Sequence, residues 1–194
     1  LVGDDGADVG VDVPGELWVR HAGPNPRFGF FSEYLKDPEA TAEAWAEGWF
    51  HTGDLVRRDA GGDYRFVDRK KNIIRRSGEN IAAVEVESVL IQHPAVKAVG
   101  VTAVPDPMRG DEVLALVVVR EGVTADATLA EDLIAFALAR LAYYKAPGYV
   151  AFSAALPLTP TEKIQRGALK ILAAGLLEGG QCLDRRHLKK RQDP

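Results

Sequence analysis

Two oppositely charged residues, Asp54 and Arg69, occupy matching positions on the two arms of a predicted β-hairpin. The alternating stretch 52–59 and the stretch 64–69 flank a Gly-Gly pair at 61–62, which suits the positive φ angles of a tight primed turn. Pairing outward from a two-residue turn at 61–62 places Asp54 opposite Arg69. Such a pair could hold a vicinal diol, because a carboxylate accepts two hydroxyls and a guanidinium donates to sugar or phosphate oxygens. The alternative is a cross-strand salt bridge worth about 1 kcal/mol or less.

Three stretches of the chain resemble the last three signature motifs of the adenylate-forming enzymes, a group that contains acyl-CoA synthetases, luciferases and peptide-synthetase adenylation domains. The stretches are GWFHTGD at 48–54, VDRKKNIIRRSGENI at 67–81 and LPLTPTEKIQRGALK at 156–170. They occur in the family's order, and the resemblance extends from about Gly15 to Lys170. SGENI, the loop PDPMRGDEV and YKAP are most similar to acyl-CoA synthetases, especially the medium-chain and carnitine-CoA ligase-like members.

This resemblance implies a reaction in two halves. A carboxylic acid attacks the α-phosphate of ATP to give acyl-AMP, and the thiol of CoA then displaces AMP. The resemblance makes Lys163 the catalytic cation, Asp54 and Arg69 the ribose-binding pair, and Lys71 a hinge about which a small domain swings between the two half reactions. The family usually has Gly directly before the lysine, whereas this chain has Glu162. If the backbone there needs a positive φ, a residue other than Gly costs about 1 kcal/mol.

The resemblance also implies a place for CoA. The turn Ser77-Gly78-Glu79 corresponds to the passage of the pantetheine arm, and Arg109, Tyr144 and Lys145 match positions that often contact the CoA nucleotide. An ordinary turn and solvated surface cations are the alternatives. The expected co-substrates are ATP, with Mg²⁺ bound through its phosphates, CoA and a carboxylic acid. The expected protein partner is an upstream domain of the same polypeptide, and a homo-oligomer is left open.

The composition excludes several other classes of protein. The chain has 194 residues, of which 46% are hydrophobic and 27% charged, as in an ordinary globular protein. It has no apolar run of 18 residues, and its net charge of −4 weighs against a nucleic-acid binder. The single cysteine, Cys182, excludes an internal disulfide and suits a cytoplasmic compartment. The four histidines are scattered, so that no metal site built from protein ligands is expected.

The order of the predicted elements gives an α+β fold with two parts. Residues 1–67 are expected to complete a distorted β-barrel at the end of a large N-terminal domain. Residues 68–178 are expected to form a mobile C-terminal domain of short strands packed with helices, and 179–194 a disordered basic tail. In this second part, Thr128 and Glu131 have the spacing of a helix capping box.

The chain as given is predicted to be inactive by itself. It begins at Leu1 and contains no Ser/Thr/Gly-rich phosphate loop, so we interpret it as the C-terminal piece of a longer ligase. Two other interpretations stay open at this point: a non-catalytic module that binds a nucleotide or CoA or acts in protein interaction, and an adenylation domain from another branch of the family.

Overall fold

The computed structural model of the chain, which describes residues 1–190, divides it into two compact units, Leu1–Lys71 and Asn72–Pro194. The boundary lies four residues after the predicted one. It does so because β3 continues to Arg69, with Asp68 buried and paired with Leu55 on the neighbouring strand. The α+β class predicted from the sequence is confirmed in both units.

The first unit is built on an open antiparallel sheet of three strands, and no closed barrel forms within it. Asp37 caps its one α-helix by accepting a hydrogen bond from the N–H of Ala40 at 3.0 Å. Trp45 is buried against the edge of Phe30, with ring centroids 5.1 Å apart. The elements are β1 (Gly15–Val19), α1 (Pro38–Ala44), β2 (Phe50–Arg58) and β3 (Tyr64–Arg69).

The second unit contains a mixed sheet with the order β5-β4-β7-β8-β9, and β6 pairs with β7 off that path. Strands β7 and β8 are parallel, and the other pairings are antiparallel. The elements are β4 (Ile73–Arg76), β5 (Glu79–Ala82), α2 (Ala83–Leu90), β6 (Val96–Asp106), β7 (Gly110–Val119), α3 (Ala127–Leu138), β8 (Tyr149–Phe152), α4 (Arg166–Glu178) and β9 (Leu183–Asp184).

Strand β7 organises the core of this unit because both of its faces are buried. Val113, Ala115 and Val117 belong to the hydrophobic cluster that includes residues of α2 and α3. The alternate residues, Leu114 and Leu116, belong to a second cluster that includes residues of α4. The two-residue period of a strand thus produces a continuous apolar run, with helices on both sides of the sheet.

Two local predictions in this unit are wrong. Helix α3 begins after Asp126, whose carboxylate accepts a hydrogen bond from the N–H of Leu129 at 2.9 Å, so the capping box at Thr128 does not form. The loop named from the sequence as PDPMRGDEV is reduced to residues 107–109, because β6 continues to Asp106 and β7 starts at Gly110.

The basic segment after α4 is ordered as far as the structure describes it, in contrast to the predicted disordered tail. Strand β9 pairs with β8, a 3₁₀ turn follows at Arg186–Leu188, and Lys189 is buried. The segment is fixed by partners far away in the sequence, which its own composition does not reveal. The end of the predicted tail, 191–194, lies outside the described residues.

No helix within residues 1–190 is both long and apolar enough to cross a lipid bilayer. The same residues contain no cluster of three or more His, Cys, Asp or Glu side chains arranged to hold a metal ion.

Candidate functional site

The β2–β3 hairpin brings Asp54 and Arg69 face to face, as the sequence predicts, but through a different turn. The turn has three residues, 60–62, closed by hydrogen bonds from Asp59 N–H to Asp63 O and from Gly62 N–H to Asp59 O, both 3.0 Å. Gly62 takes the left-handed conformation, with φ 91°. The wider turn shifts the pairing by one residue, and a bulge at Val67 shifts it back before Arg69.

The resulting ion pair is well positioned and accessible. Arg69 Nε lies 2.7 Å from Asp54 Oδ1, and Arg69 Nη1 donates to the carbonyl of Thr52 at 3.1 Å. Thr52 Oγ1 fixes the other arm, since it accepts from the N–H of Asp54 and donates to the carbonyl of Leu17. The Asp54 side chain is 27% exposed and that of Arg69 53% exposed, so hydroxyl groups of a ligand can reach both.

Glu16 supports this pair, although no motif in the sequence marks it. Its side chain is 6% exposed and contacts Lys70 Nζ at 2.8 Å and the N–H of Gly53 at 3.2 Å, so it holds the residues next to Arg69 and Asp54. Burial raises the pKa of the Glu16 carboxyl, but hydrogen bonds from Lys70 and Trp18 and the charge of Lys70 outweigh it and lower the pKa below its ordinary value. Lys70 is therefore held by a buried carboxylate 54 residues away in the sequence.

Lys71 lies in a 3₁₀ turn, Lys70–Asn72, that joins β3 to β4. Its side chain is exposed. The division between the two compact units falls directly after this residue.

Lys163 lies at the end of a three-residue turn, 160–162, in the second unit. Thr159 closes the turn: its N–H donates to Lys163 O at 2.8 Å, its carbonyl accepts from Glu162 N–H at 2.9 Å, and its hydroxyl accepts from Lys163 N–H at 3.1 Å. A β-bridge between Leu158 and Ile164 frames the turn. The Lys163 side chain is exposed, and Glu162 has φ 60°. The position before the lysine therefore has a positive φ, the conformation for which the glycine usual in the family is suited.

The root of this turn is anchored by Arg166, the first residue of α4. Its guanidinium forms a two-pronged ion pair with Glu87 on α2, with Nη2 2.8 Å from Oε2. Glu87 also accepts from the N–H of Val101, and Arg166 donates to the carbonyl of Val101, at 2.7 and 3.2 Å. One side-chain pair thus joins α2, β6 and the base of the Lys163 turn.

The residues predicted to contact CoA are only partly brought together. Ser77 and Gly78 form a two-residue turn between β4 and β5, with φ 51° and 85°, and Glu79 is the first residue of β5. The N–H of Ser77 donates to the carbonyl of Arg109 at 2.9 Å, so this turn and the Arg109 loop are adjacent. The Arg109 side chain is 38% exposed.

Tyr144 and Lys145 have other partners. Tyr144 packs against the larger hydrophobic cluster of the second unit. Lys145 Nζ contacts both carboxylate oxygens of Glu85 at 2.7 and 2.8 Å, so its charge is already balanced by α2.

Residues 85–163 match the family described as AMP-binding enzyme C-terminal domain. These residues belong to that family. The AMP-binding C-terminal domain is accompanied here by the two upstream motifs, and the resemblance to adenylate-forming acyl-CoA ligases is confirmed.

Relatives extend the similarity to most of the chain. A feruloyl-CoA synthase from Amycolatopsis sp is 40% identical over 170 residues, which are 88% of this chain and 33% of that protein. A crotonobetaine/carnitine–CoA ligase from Escherichia coli O1:K1 is 38% identical over 157 residues, 80% of this chain and 29% of the relative. The chain thus spans about a third of the length of the curated relatives it matches.

A solved structure is similar over the same range. The o-succinylbenzoate CoA synthetase (MenE) from Bacillus subtilis, in complex with the acyl-adenylate intermediate OSB-AMP, superposes with a TM-score of 0.72 at 33% identity. The superposition covers 87% of this chain and 33% of that structure.

Proposed function

We propose that this chain supplies the ribose-binding pair, the hinge and the mobile lysine of an AMP-forming acid–CoA ligase. Its relatives include two ligases that form CoA thioesters, and a similar structure holds an acyl-adenylate. The observation that carries the proposal is the accessible Asp54–Arg69 pair, held at 2.7 Å between two strands.

In this proposal, Asp54 accepts hydrogen bonds from the ribose hydroxyls of ATP and then of AMP. Arg69 fixes the carboxylate through Nε and keeps further N–H groups for the ribose or phosphate oxygens. Because Thr52 and Glu16 hold both arms of the hairpin, the pair meets the nucleotide with little loss of conformational freedom.

Lys163 provides the charge that the first half reaction needs. The acid carboxylate and the α-phosphate are both anionic, so an ammonium between the attacking oxygen and the phosphate lowers the barrier more than it stabilises the separate reactants. Two observations support this role: the Lys163 side chain is exposed, and the ion pair between Arg166 and Glu87 holds the base of its turn in place.

Lys71 serves as the hinge, which the unit boundary after this residue supports. A change of backbone angles there would bring the Lys163 turn to the nucleotide for adenylation and remove it for thioester formation. For the second half reaction, the Ser77–Gly78 turn admits the pantetheine arm, and Glu79, Arg109, Tyr144 and Lys145 are the further candidates for contact with CoA. Mg²⁺ would arrive with ATP, bound through its phosphates.

The test is pyrophosphate release from ATP with a panel of carboxylic acids, measured for the polypeptide that includes the upstream region. Lys163→Ala is expected to lower acyl-AMP formation by about 10²-fold or more, while thioester formation from supplied acyl-AMP suffers less. Lys170→Ala, at another exposed lysine, is the matched control and keeps both rates. Equal loss of both half reactions in Lys163→Ala would contradict the assignment.

The 194-residue chain assayed alone is expected to release no pyrophosphate. Turnover by this chain would overturn the proposal that the phosphate-binding machinery lies elsewhere. Binding of AMP or CoA by the longer polypeptide, with no pyrophosphate release for any acid, would instead favour the non-catalytic binding module.

A further inference from the structure

The segment 183–190, termed here the C-terminal strap, returns along the sheet after α4. Leu183 and Asp184 pair with Val150 and Tyr149 of β8, and the N–H of Arg185 donates to the carbonyl of Gly148 at 2.8 Å. A Cβ atom at Gly148 would lie 2.9 Å from Arg186 Cγ in the strap and 2.6 Å from Glu112 Cδ on β7. Only glycine fits there.

The strap inserts a buried cation next to a buried anion. The Lys189 side chain is fully buried, and its ammonium donates to Glu112 Oε1. Glu112 is also fully buried and receives Arg76 Nε at 2.9 Å on its other oxygen. A buried carboxylate needs such partners, because an unpaired charge in the protein interior is strongly destabilising.

A second cation of the strap, Arg186, reaches the loop that carries Arg109. Arg186 Nη1 lies 2.8 Å from Asp106 Oδ2, while Asp106 Oδ1 accepts from the N–H groups of Met108 and Arg109, both at 3.0 Å. Asp184 holds Arg186 in place through Nη2 at 2.7 Å. Arg186 therefore fixes the carboxylate that shapes the Arg109 loop.

These contacts converge on the two elements assigned to CoA. Arg76 directly precedes the Ser77–Gly78 turn, and Asp106 and Glu112 flank the Arg109 loop. The hydrogen bond from Ser77 N–H to Arg109 O joins the turn to the loop. A cleft of about 630 Å³ opens beside Arg109, lined by Asp106, Pro107, Met108, Arg109, Asp184, Arg186 and His187.

We propose that Arg186 and Lys189 are positioning residues for the coenzyme, which act by holding the Ser77–Gly78 turn and the Arg109 loop in register. This inference rests on the proposed function, because the turn and the loop are assigned to CoA there. The sequence motifs do not include the strap. The last motif ends at Lys170, and the strap begins 13 residues later, at Leu183.

The positioning is tested first without reference to activity, by amide hydrogen exchange in the 194-residue chain. Lys189→Met and Arg186→Gln are each expected to speed exchange of the Ser77 and Arg109 amides by about tenfold or more, with α3 amides unchanged. Lys190→Met, at the exposed neighbouring lysine, is the control. If Lys189→Met does not fold, Arg186→Gln carries the test, since Arg186 is partly exposed. Unchanged exchange at Ser77 and Arg109 in the folded variant would overturn the inference.

The second measurement separates coenzyme positioning from general stability. In the polypeptide with its upstream region, Arg186→Gln is expected to raise KM for CoA by about five- to tenfold and to leave the acyl-AMP formation rate within about twofold. Faster exchange with unchanged KM for CoA would overturn the coenzyme role. That failure is distinct from failure of the proposed function, which Lys163→Ala tests through the adenylation rate.

Discussion

Glu162 occupies in the Lys163 turn the place that Gly62 occupies in the β2–β3 turn. Both turns have three residues. The residue directly before each turn, Thr159 or Asp59, closes it with hydrogen bonds from its backbone and its side chain. The φ angles are 60° at Glu162 and 91° at Gly62. A glutamate therefore adopts a conformation that glycine adopts without steric cost.

We expect Glu162→Gly to raise the free energy of unfolding by about 1 kcal/mol, because the strain of the left-handed conformation disappears. It should also raise the acyl-AMP formation rate, since a negative charge beside Lys163 is removed. Urea unfolding and pyrophosphate release measure the two effects.

Glu162→Gln separates the two effects, because it removes the charge but keeps the strain. Gly62→Ala, in the equivalent turn, should destabilise by a similar amount. A Glu162→Gly variant less stable than the original chain would contradict this account.

The ion pair between Arg166 and Glu87 should matter more than an exposed pair. Both side chains are mostly buried, at 25% and 13% exposure, and Glu87 also accepts the N–H of Val101. We expect Arg166→Met to lower the free energy of unfolding by about 2 kcal/mol, because the Glu87 carboxylate loses its partner. The acyl-AMP formation rate should fall as well, since the base of the Lys163 turn is released.

Thermal or urea unfolding of Arg166→Met, Glu87→Gln and the double variant gives the coupling between the two residues. Lys170→Met, on the exposed side of the same helix, is the control. Additive effects of the two single changes would show that the pair does not act as a unit.

Lys189 should give the second unit a distinctive dependence on alkaline pH. The pKa of its ammonium is lowered to about 8, because burial and the charge of Arg76 together outweigh Glu112 and Asp106, which raise it. In the unfolded chain the group titrates near 10.4, so between pH 8 and that value the unfolded state binds more protons than the folded state. The Lys189 contribution to the free energy of unfolding therefore rises with pH in this window, by up to about 3 kcal/mol.

The measurement is the difference in unfolding free energy between the original chain and Lys189→Met from pH 7 to 10.5. Subtraction cancels what the two proteins have in common, so the difference reports Lys189 together with the charged groups that face it, Glu112, Asp106 and Arg76. A difference that falls with rising pH would mean that the folded chain binds the proton of Lys189 more tightly than the unfolded chain does.

The Asp54–Arg69 pair should discriminate between nucleotides by their ribose hydroxyls. We expect Asp54→Ala to raise KM for ATP by about tenfold or more, and to remove the preference for ATP over its deoxyribose analogues. Steady-state kinetics with ATP, 2′-deoxy-ATP and 3′-deoxy-ATP measure this. Arg57→Gln, at an exposed residue of the same hairpin, is the control. A variant that still distinguishes the analogues as the original does would remove Asp54 from the ribose site.

The facing of Asp54 and Arg69 was predictable, but the path to it was not. The sequence indicates a hairpin with glycines at its tip, and a two-residue turn gives the correct pairing at the open end. The actual three-residue turn shifts the pairing near the tip by one residue from the predicted one. The bulge at Val67 restores the predicted pairing at the open end. Nothing in the local sequence marks that bulge, because its position depends on how β2 is held by β1.

Long-range partners explain the other differences. Lys70, Arg76 and Lys189 look like solvated cations when only their neighbours in sequence are considered. Each is held by a carboxylate at least 36 residues away: Glu16 for Lys70, and Glu112 for the other two. A carboxylate inside a strand pattern, such as Glu112 within β7, is the one local sign that buried cations are needed.

The dependence of Glu112 on Lys189 also has a bearing on synthesis and truncation. A polypeptide that stopped shortly after Lys170 would still contain every signature motif, and a motif search would score it as intact. Yet the buried Glu112 carboxylate would keep Arg76 and lose Lys189, its other buried cation, and proteolysis would remove such a destabilised product. Genes of this type should therefore tolerate early stop codons far less well than the position of their last motif suggests.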